Sequence, residues 1–336
     1  MNWRVIPSLA ALLAAFISCT WLCGCGITES EEPAAGALTV SVWDTTAGQS
    51  LPGAAIFVDG TARQECTPAT ICGLSEGLHS VTVVPPALDY PSIDTTVNIT
   101  PPDTQTVTLL AGASTEPGYL HIVTTPADAA VHIDFRPGDH ASGSVLPILP
   151  GEHLVSAWLD DHAVPEPGFV VATVRAADTT TVRLTLTEEP SGIGNGQLAP
   201  NLVLTGDLGN EYSLAQYRGA VLLLNFAGFD CDPCRDELPD IQRVCEQRFE
   251  DGFRVLVINV GWYNDGPDDF ARIREDLHLT MPLLFADTPG GAATTTYNIA
   301  AAPTNVLIDR RGIIRYRLGA VTEAQLDELI QPLLSD

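Results

Sequence analysis

The chain has 336 residues, enough for two or three domains that each bury a core of their own. Its net charge is −26 and all 16 basic residues are arginine. No basic face is available for phosphate, which argues against nucleic acid as a partner, and without lysine there is no Schiff-base chemistry. The charge is uneven: residues 26–190 carry 4 Arg against 21 Asp and Glu, and 191–336 carry 11 against 21. The first part therefore reads as a solvated acidic surface.

Residues 1–25 read as an export signal. Arg4 gives a short positive region, and the apolar stretch from Val5 to Trp21 is too short and too early for a spanning helix. It ends in Leu22-Cys23-Gly24-Cys25, which resembles the bacterial lipoprotein cleavage box. That resemblance implies that Cys25 becomes the lipidated first residue of the mature protein and ties it to a membrane. An ordinary signal peptide or an uncleaved anchor is the alternative. In each case the folded part lies outside the cytoplasm, where disulfides persist. Residues 26–36 are a polar tether.

Two similar units follow, at 37–112 and 118–189. Both show period-two alternation of β-branched residues interrupted by Gly, Pro and Asp, which predicts small antiparallel sandwiches. Asp59 and Asp134 are 75 residues apart, and His79 and His153 are 74 apart, so the units are an internal duplication. The turn around Ser75-Glu76-Gly77 and its counterpart Pro150-Gly151-Glu152 resemble the PEGA family of extracytoplasmic β-modules, which implies a spacer or adhesive role. Six of the seven histidines lie here. His132, His140 and Asp134 have no ligand-type spacing, and His79 and His153 occupy equivalent turns, so no metal site is expected. Cys66 and Cys72 could bridge a short loop and are a candidate structural disulfide. Residues 190–196, Pro-Ser-Gly-Ile-Gly-Asn-Gly, read by composition as a flexible linker.

The chemistry is concentrated in 197–336. Val221 to Phe226 reads as a buried strand, and Leu238, Ile241 and Cys245 place one apolar stripe on a following helix. Between them stands Cys231-Asp232-Pro233-Cys234. A Cys-x-x-Cys pair at a strand-to-helix junction puts its first sulfur at a helix N-terminus, where N–H groups favour the thiolate that attacks disulfides. Phe253 to Val260 is a second buried strand, and Asp268 to Leu277 a polar helix. Val306–Asp309 and Ile313–Tyr316 form a hairpin about Arg310-Arg311-Gly312, and Glu323 to Leu334 is an amphipathic closing helix. Together these predict a compact α/β layer fold.

Ala199-Pro200-Asn201-Leu202, Tyr217-Arg218-Gly219, Asn225-Phe226, the cysteine motif with Glu237-Leu238-Pro239, Tyr297-Asn298-Ile299, Pro303-Thr304 and Ile308-Asp309 with Gly312 occur in one order. They resemble the extracytoplasmic, membrane-tethered thioredoxin-like family of TlpA/ResA type. The resemblance implies a thioredoxin-like α/β domain and thiol-disulfide oxidoreductase activity without a bound cofactor. By position, Cys231 would be the attacking thiol and Cys234 the resolving one. Pro303 would be a cis-proline beside them, with Ala302 and Thr304 lining the substrate chain. Partners would be disulfide-containing exported proteins and an external thiol donor.

Some positions depart from that pattern. Asp230 and Ala227 replace the usual aromatics, and Asp230, Asp232, Asp236 and Glu237 surround the pair with only Arg235 to offset them. A carboxylate ~6 Å from a thiolate costs it roughly 0.7–3 kcal/mol, while a helix N-terminus returns about 0.3–1 kcal/mol. The acids are expected to win, leaving Cys231 a weaker acid than a typical redox cysteine. Two other functions compete. One is a peroxiredoxin-like peroxidase, which needs Thr or Ser where Gly228 stands. The other is a non-catalytic surface lipoprotein whose Cys231–Cys234 bridge is structural.

Overall fold

The computed structural model describes residues 35–134, 136–207, 209, 211–249, 251–262, 265–285 and 292–335. The signal, Cys25 and all but the end of the tether lie outside the described residues. Among those described, no helix is long and apolar enough to cross a membrane.

The N-terminal region is all-β and repeats one plan twice. In the first unit the opening strand Gly36–Asp44 pairs with Ala69–Leu74 and with the closing strand Thr104–Ala111. The opposing sheet orders Thr61–Cys66, Ala55–Val58, Gly77–Val84 and Ile93–Ile99. The second unit repeats these pairings: Gly118–Thr125 pairs with Val145–Ile148 and Thr179–Thr185, without a counterpart, among the described residues, of the short strand Gln49–Ser50 that also pairs with the first unit's opening strand. Its other sheet orders Arg136–Ala141, Ala130–Ile133, Gly151–Trp158 and Val170–Val174. Alternate residues point inward, so Leu38, Val40, Val42, Ile56, Val81 and Val83 form one core and Leu120, Ile122, Val131, Ile133 and Val155 the other. One feature departs from a purely antiparallel sandwich: opening and closing strands run parallel in both units. Strands of the other layer carry the chain back between them, which supplies the crossover that parallel neighbours require.

The residues at the constant offset form a clamp. Asp59 and Asp134 take the left-handed conformation, at φ 53 and 54°, which a short polar side chain tolerates. One oxygen of each accepts a backbone N–H across the sheet, from Ser80 at 2.8 Å and Leu154 at 3.0 Å. The other faces Nδ1 of His79 at 2.6 Å and of His153 at 2.8 Å. Nε2 of each ring faces a carbonyl, that of Ser75 at 3.0 Å and of Leu149 at 2.7 Å. With acceptors on both sides, only the doubly protonated imidazolium satisfies every contact. The Asp59 hydrogen bond and the Ser75 carbonyl hold His79 above its ordinary pKa, against burial and Arg63. Burial works against the Asp59 carboxylate, but its hydrogen bonds from His79 and Ser80 carry it below the usual range.

The C-terminal domain is a five-stranded sheet. Its elements are β1 (Val221–Ala227), α1 (Asp232–Arg248), β2 (Phe253–Asn259), α2 (Pro267–Asp276), β3 (Leu283–Leu284), α3 (Ala292–Thr296), β4 (Thr304–Ile308), β5 (Ile314–Leu318) and α4 (Glu323–Ser335). The strand order is β3-β2-β1-β4-β5, with β1 parallel to β2 and antiparallel to β4. All seven residues of β1 are buried, as its unbroken apolar run requires. Val221 and Leu223 pack with α1, α2 and α4, while Leu222, Leu224 and Phe226 pack on the opposite face with Leu202, Leu214 and Tyr297. The helix stripe is Leu238, Ile241 and Val244, with the expected Cys245 only partly buried. A step of one residue turns a side chain by 100°, enough to carry it off the centre of the stripe. Desolvation of its sulfur pushes the Cys245 thiol up to about 12, which disfavours the thiolate.

The β4–β5 turn joins this domain to the second β-unit. Arg310 is buried and donates to the carbonyls of Gly219 at 3.0 Å, Asp251 at 2.9 Å and Leu334 at 3.1 Å. Arg311 pairs with Glu189 and donates to the Val164 carbonyl at 3.2 Å. Gly168, at φ +91°, lies so close that a Cβ would sit 2.7 Å from the Arg310 carbonyl carbon. Gly312, at φ +90°, leaves room for the Arg218 guanidinium, which explains its place in the motif. Phe57 of the first unit meets Phe249 edge-on at 5.5 Å. Residues 190–196, expected to be a flexible linker, are hydrogen-bonded: Leu198 N–H donates to Pro190 O at 2.9 Å and Gly196 N–H to Ile314 O at 2.8 Å. Composition permitted flexibility, but the neighbouring β5 supplies partners that order the segment.

The clamp predicts how the β-units respond to pH. A raised His79 contributes stability that is full below its unfolded value of about 6.5 and is lost as pH rises through the higher folded value. The β-unit melting transition is expected to fall between about pH 5.5 and 8. Asp59→Asn with Asp134→Asn should flatten that dependence. A wild-type melt equally high at both pH values would remove the imidazolium from the turn.

Candidate active site

The end of β1 delivers the cysteines. Beyond Ala227 the chain turns through Gly228–Asp230, and Cys231 takes the N-cap position of α1 with extended backbone, φ −102° and ψ 106°. Pro233 in the first turn lacks an N–H where a helix has none to satisfy. Cys234 and Arg235 donate their N–H groups to the Cys231 carbonyl, both at 3.0 Å. The cysteines form a disulfide with Cα atoms 5.3 Å apart. They are unequal in access: Cys231 is 8% exposed and Cys234 0%.

The antiparallel neighbour β4 brings the remaining expected residues. Phe226 pairs with Thr304, so the preceding Ala302–Pro303 bond, which is cis, lies beside the cysteine loop. Cys231 Sγ stands 3.7 Å from the Ala302 carbonyl oxygen, which becomes an acceptor for the thiol once the bridge is reduced. The Thr304 hydroxyl donates to Ala301 O at 2.7 Å. Cys66 and Cys72 are elsewhere, on Thr61–Cys66 and Ala69–Leu74 of the first β-unit, and both are exposed.

Strand parity explains a group that sequence reasoning misplaced. Asn225 shares its face with Leu223, and Asn305 shares its face with Leu307, so both amides point toward α1. Glu237 of α1 meets them there, 3% exposed. It accepts hydrogen bonds from Asn225 Nδ2 at 2.7 Å, Asn305 Nδ2 at 3.1 Å and the Val321 N–H at 2.9 Å. Burial pushes its carboxyl upward, and the Val321, Asn225 and Asn305 hydrogen bonds pull it partly back. Glu237 is therefore not one of the surface acids around the pair. Its signal in the sequence was the third position after Cys234, which shares a helix face with that buried residue.

Asp265 was also missed. Its Oδ2 accepts the Phe229 N–H at 3.3 Å and Asn259 Nδ2 at 2.6 Å, while Asn259 Oδ1 accepts the Gly261 N–H at 2.7 Å. The carboxylate so fixes the cysteine loop to the end of β2. No local pattern marks it, because the contact joins segments 36 residues apart. Asp230, Asp232 and Asp236 are exposed.

In the reduced chain, the alkylation rate of Cys231 against pH should reach half its maximum above the value of about 7 typical of thioredoxin. A midpoint well below pH 7 would show that the helix N-terminus outweighs the acids. Glu237→Ala strands three buried donors and should cost about 2–5 kcal/mol in denaturant unfolding. A loss under about 0.5 kcal/mol would mean that the network holds nothing together.

The AhpC/TSA family profile matches residues 195–317. Thiol-disulfide oxidoreductase ResA from Geobacillus kaustophilus is 30% identical over 146 residues, which span 43% of this chain and 81% of that protein. Thioredoxin-like protein YneN from Bacillus subtilis is 28% identical over 145 residues, spanning 43% of this chain and 83% of YneN. A solved thiol:disulfide interchange protein of the thioredoxin family from Chlorobium tepidum shares 25% identity at a TM-score of 0.37, over 41% of this chain and 95% of its own. Through its C-terminal domain, the chain belongs to the ResA/TlpA-type family of thioredoxin-like thiol-disulfide oxidoreductases.

Proposed function

We propose that the protein is a membrane-tethered, extracytoplasmic oxidoreductase that exchanges disulfides of exported proteins through Cys231 and Cys234. The observation that carries this reading is the asymmetry of the pair, with Cys231 reachable against the Ala302 carbonyl and Cys234 sealed beneath it. In the reduced state the Cys231 thiolate attacks a partner disulfide, forming a mixed disulfide and expelling one partner thiolate. Cys234 then attacks Cys231 Sγ, closing the internal bridge and releasing the second partner sulfur. Two electrons and two protons pass to the partner, and an external thiol donor restores the dithiol. Glu237, raised by burial and one turn from Cys234, is suited to hold the resolving thiol's proton. Lipidation of Cys25 supplies the tether in this reading, and a Cys66–Cys72 bridge suits the oxidising compartment.

The AhpC/TSA match favours a second reading, peroxide reduction. That chemistry needs a hydroxyl three residues before the reactive cysteine, and Gly228 offers none. One set of assays separates them. With dithiothreitol as donor, the full chain should reduce insulin disulfides, Cys231→Ser should abolish the activity, and Cys234→Ser should accumulate the mixed disulfide. Activity that survives Cys231→Ser, or peroxide consumed faster than insulin, would overturn the proposal. Non-reducing peptide mapping of the exported protein should find lipid on Cys25 and Cys66 joined to Cys72; an unmodified Cys25 removes the tether from the proposal, and Cys66 and Cys72 recovered as separate thiols remove the bridge.

A further inference from the structure

Arg218 is a buried cation that the fold leaves unanswered. It is 5% exposed, its Nε is enclosed, and among the described residues no hydrogen bond or ion pair reaches its guanidinium. Asp309, the buried acid of the adjoining turn, is already taken. It accepts Arg315 Nε at 2.6 Å and the N–H groups of Arg311 and Ile313 at 3.0 and 2.8 Å. Burial pushes the Arg218 pKa down to about 10, opposed by Tyr297, Asp309 and Asp160, so the group is charged at neutral pH. A guanidinium enclosed without an acceptor is costly, and that cost is recovered when an acceptor arrives.

The surroundings leave room for one. A Cβ at Gly312 would collide with Arg218 Nη1, and the Gly312 carbonyl accepts the Ala199 N–H at 2.9 Å. The guanidinium therefore reaches residues 198–201, which line a cavity of about 430 Å³ together with Arg218 itself. The facing wall comes from the second β-unit, through Trp158, Asp160 and Asp161. Asn201 adds a second donor. Its Oδ1 accepts the Ala215 N–H at 3.0 Å and the Ser213 hydroxyl at 3.1 Å, which fixes the amide and leaves Nδ2 without a partner among the described residues.

We propose that this cavity binds a monocarboxylate through the Arg218 guanidinium and the Asn201 amide. A carboxylate is planar and offers two oxygens to the parallel N–H groups of the fork. Asp160 and Asp161 are exposed and line the same cavity, so they repel a dianion such as phosphate about twice as strongly as a monoanion. The walls belong to two units, and an occupied cavity ties the second β-unit to the C-terminal domain. Arg218 precedes β1 and Cys231 follows it, with a strand of seven residues, about 23 Å, between them. The cavity therefore works apart from thiol exchange.

The full chain, with its disulfide formed and in chloride-free buffer, is titrated with sodium acetate by calorimetry. Saturable binding is expected, with a Kd on the order of 1 mM. Phosphate should bind roughly tenfold more weakly or worse. Arg218→Met removes an unpaired buried charge, so it should leave the melting transition unchanged or higher while weakening acetate by about tenfold or more. Arg218→Lys keeps the charge without the fork and should weaken acetate severalfold, which reads the same contact should the methionine variant not fold. Insulin reduction should be the same in wild type and Arg218→Met, which separates this proposal from the thiol chemistry. A free organic acid and a polypeptide C-terminus both carry the group. A short peptide that binds more tightly than acetate, and no longer binds once its C-terminus is amidated, assigns the site to chain ends; acetate alone binding assigns it to free acids. No saturable binding to wild type, chloride or phosphate bound as tightly as acetate, or an affinity unchanged by both Arg218 variants overturns the proposal. Binding that appears only in Asp160→Asn overturns it too, because the chain's own carboxylate would then fill the cavity.

Discussion

A carboxylate buried among neutral N–H donors holds the reactive end of this protein together. Glu237 draws hydrogen bonds from β1, β4 and the approach to α4, so one side chain ties the cysteine helix to both central strands. Burying it costs several kcal/mol unless its hydrogen bonds are made, so geometry and ionisation are fixed by the same contacts. Asn305 lies two residues beyond the cis Pro303, and Asn225 two residues before Ala227. A shift in either strand that spoiled the donors would also move the cysteine loop or the Ala302 carbonyl. The chemistry of the pair and the packing beneath it are one arrangement.

Much of this was legible in the residues. The unbroken run in β1 announced a buried central strand, and the cysteine spacing at its end announced a helix N-cap. Pro303 was expected beside the pair from the resemblance to the TlpA/ResA-type family. The constant offsets of Asp59 and His79 against Asp134 and His153 marked a shared turn, although that each histidine bridges a carboxylate and a carbonyl needed coordinates. What stayed hidden depended on partners distant in sequence. Glu237 looked like another surface acid because its sequence neighbours are acids. Asp265 had no local mark at all. Residues 190–196 had a loop's composition, and their order comes from strand β5.

The contacts with the β-units gather at one pole of the C-terminal domain. Arg310 and Arg311 follow the end of β4 that lies opposite Leu222, and Phe249 caps the far end of α1. Cys231 occupies the other pole, separated from Phe249 by a helix of 17 residues, about 25 Å. The joint to the β-units and the cysteine pair therefore sit at opposite ends of the same fold. A change in the surface of the β-units leaves the disulfide geometry untouched, and a change around the cysteines leaves that joint intact.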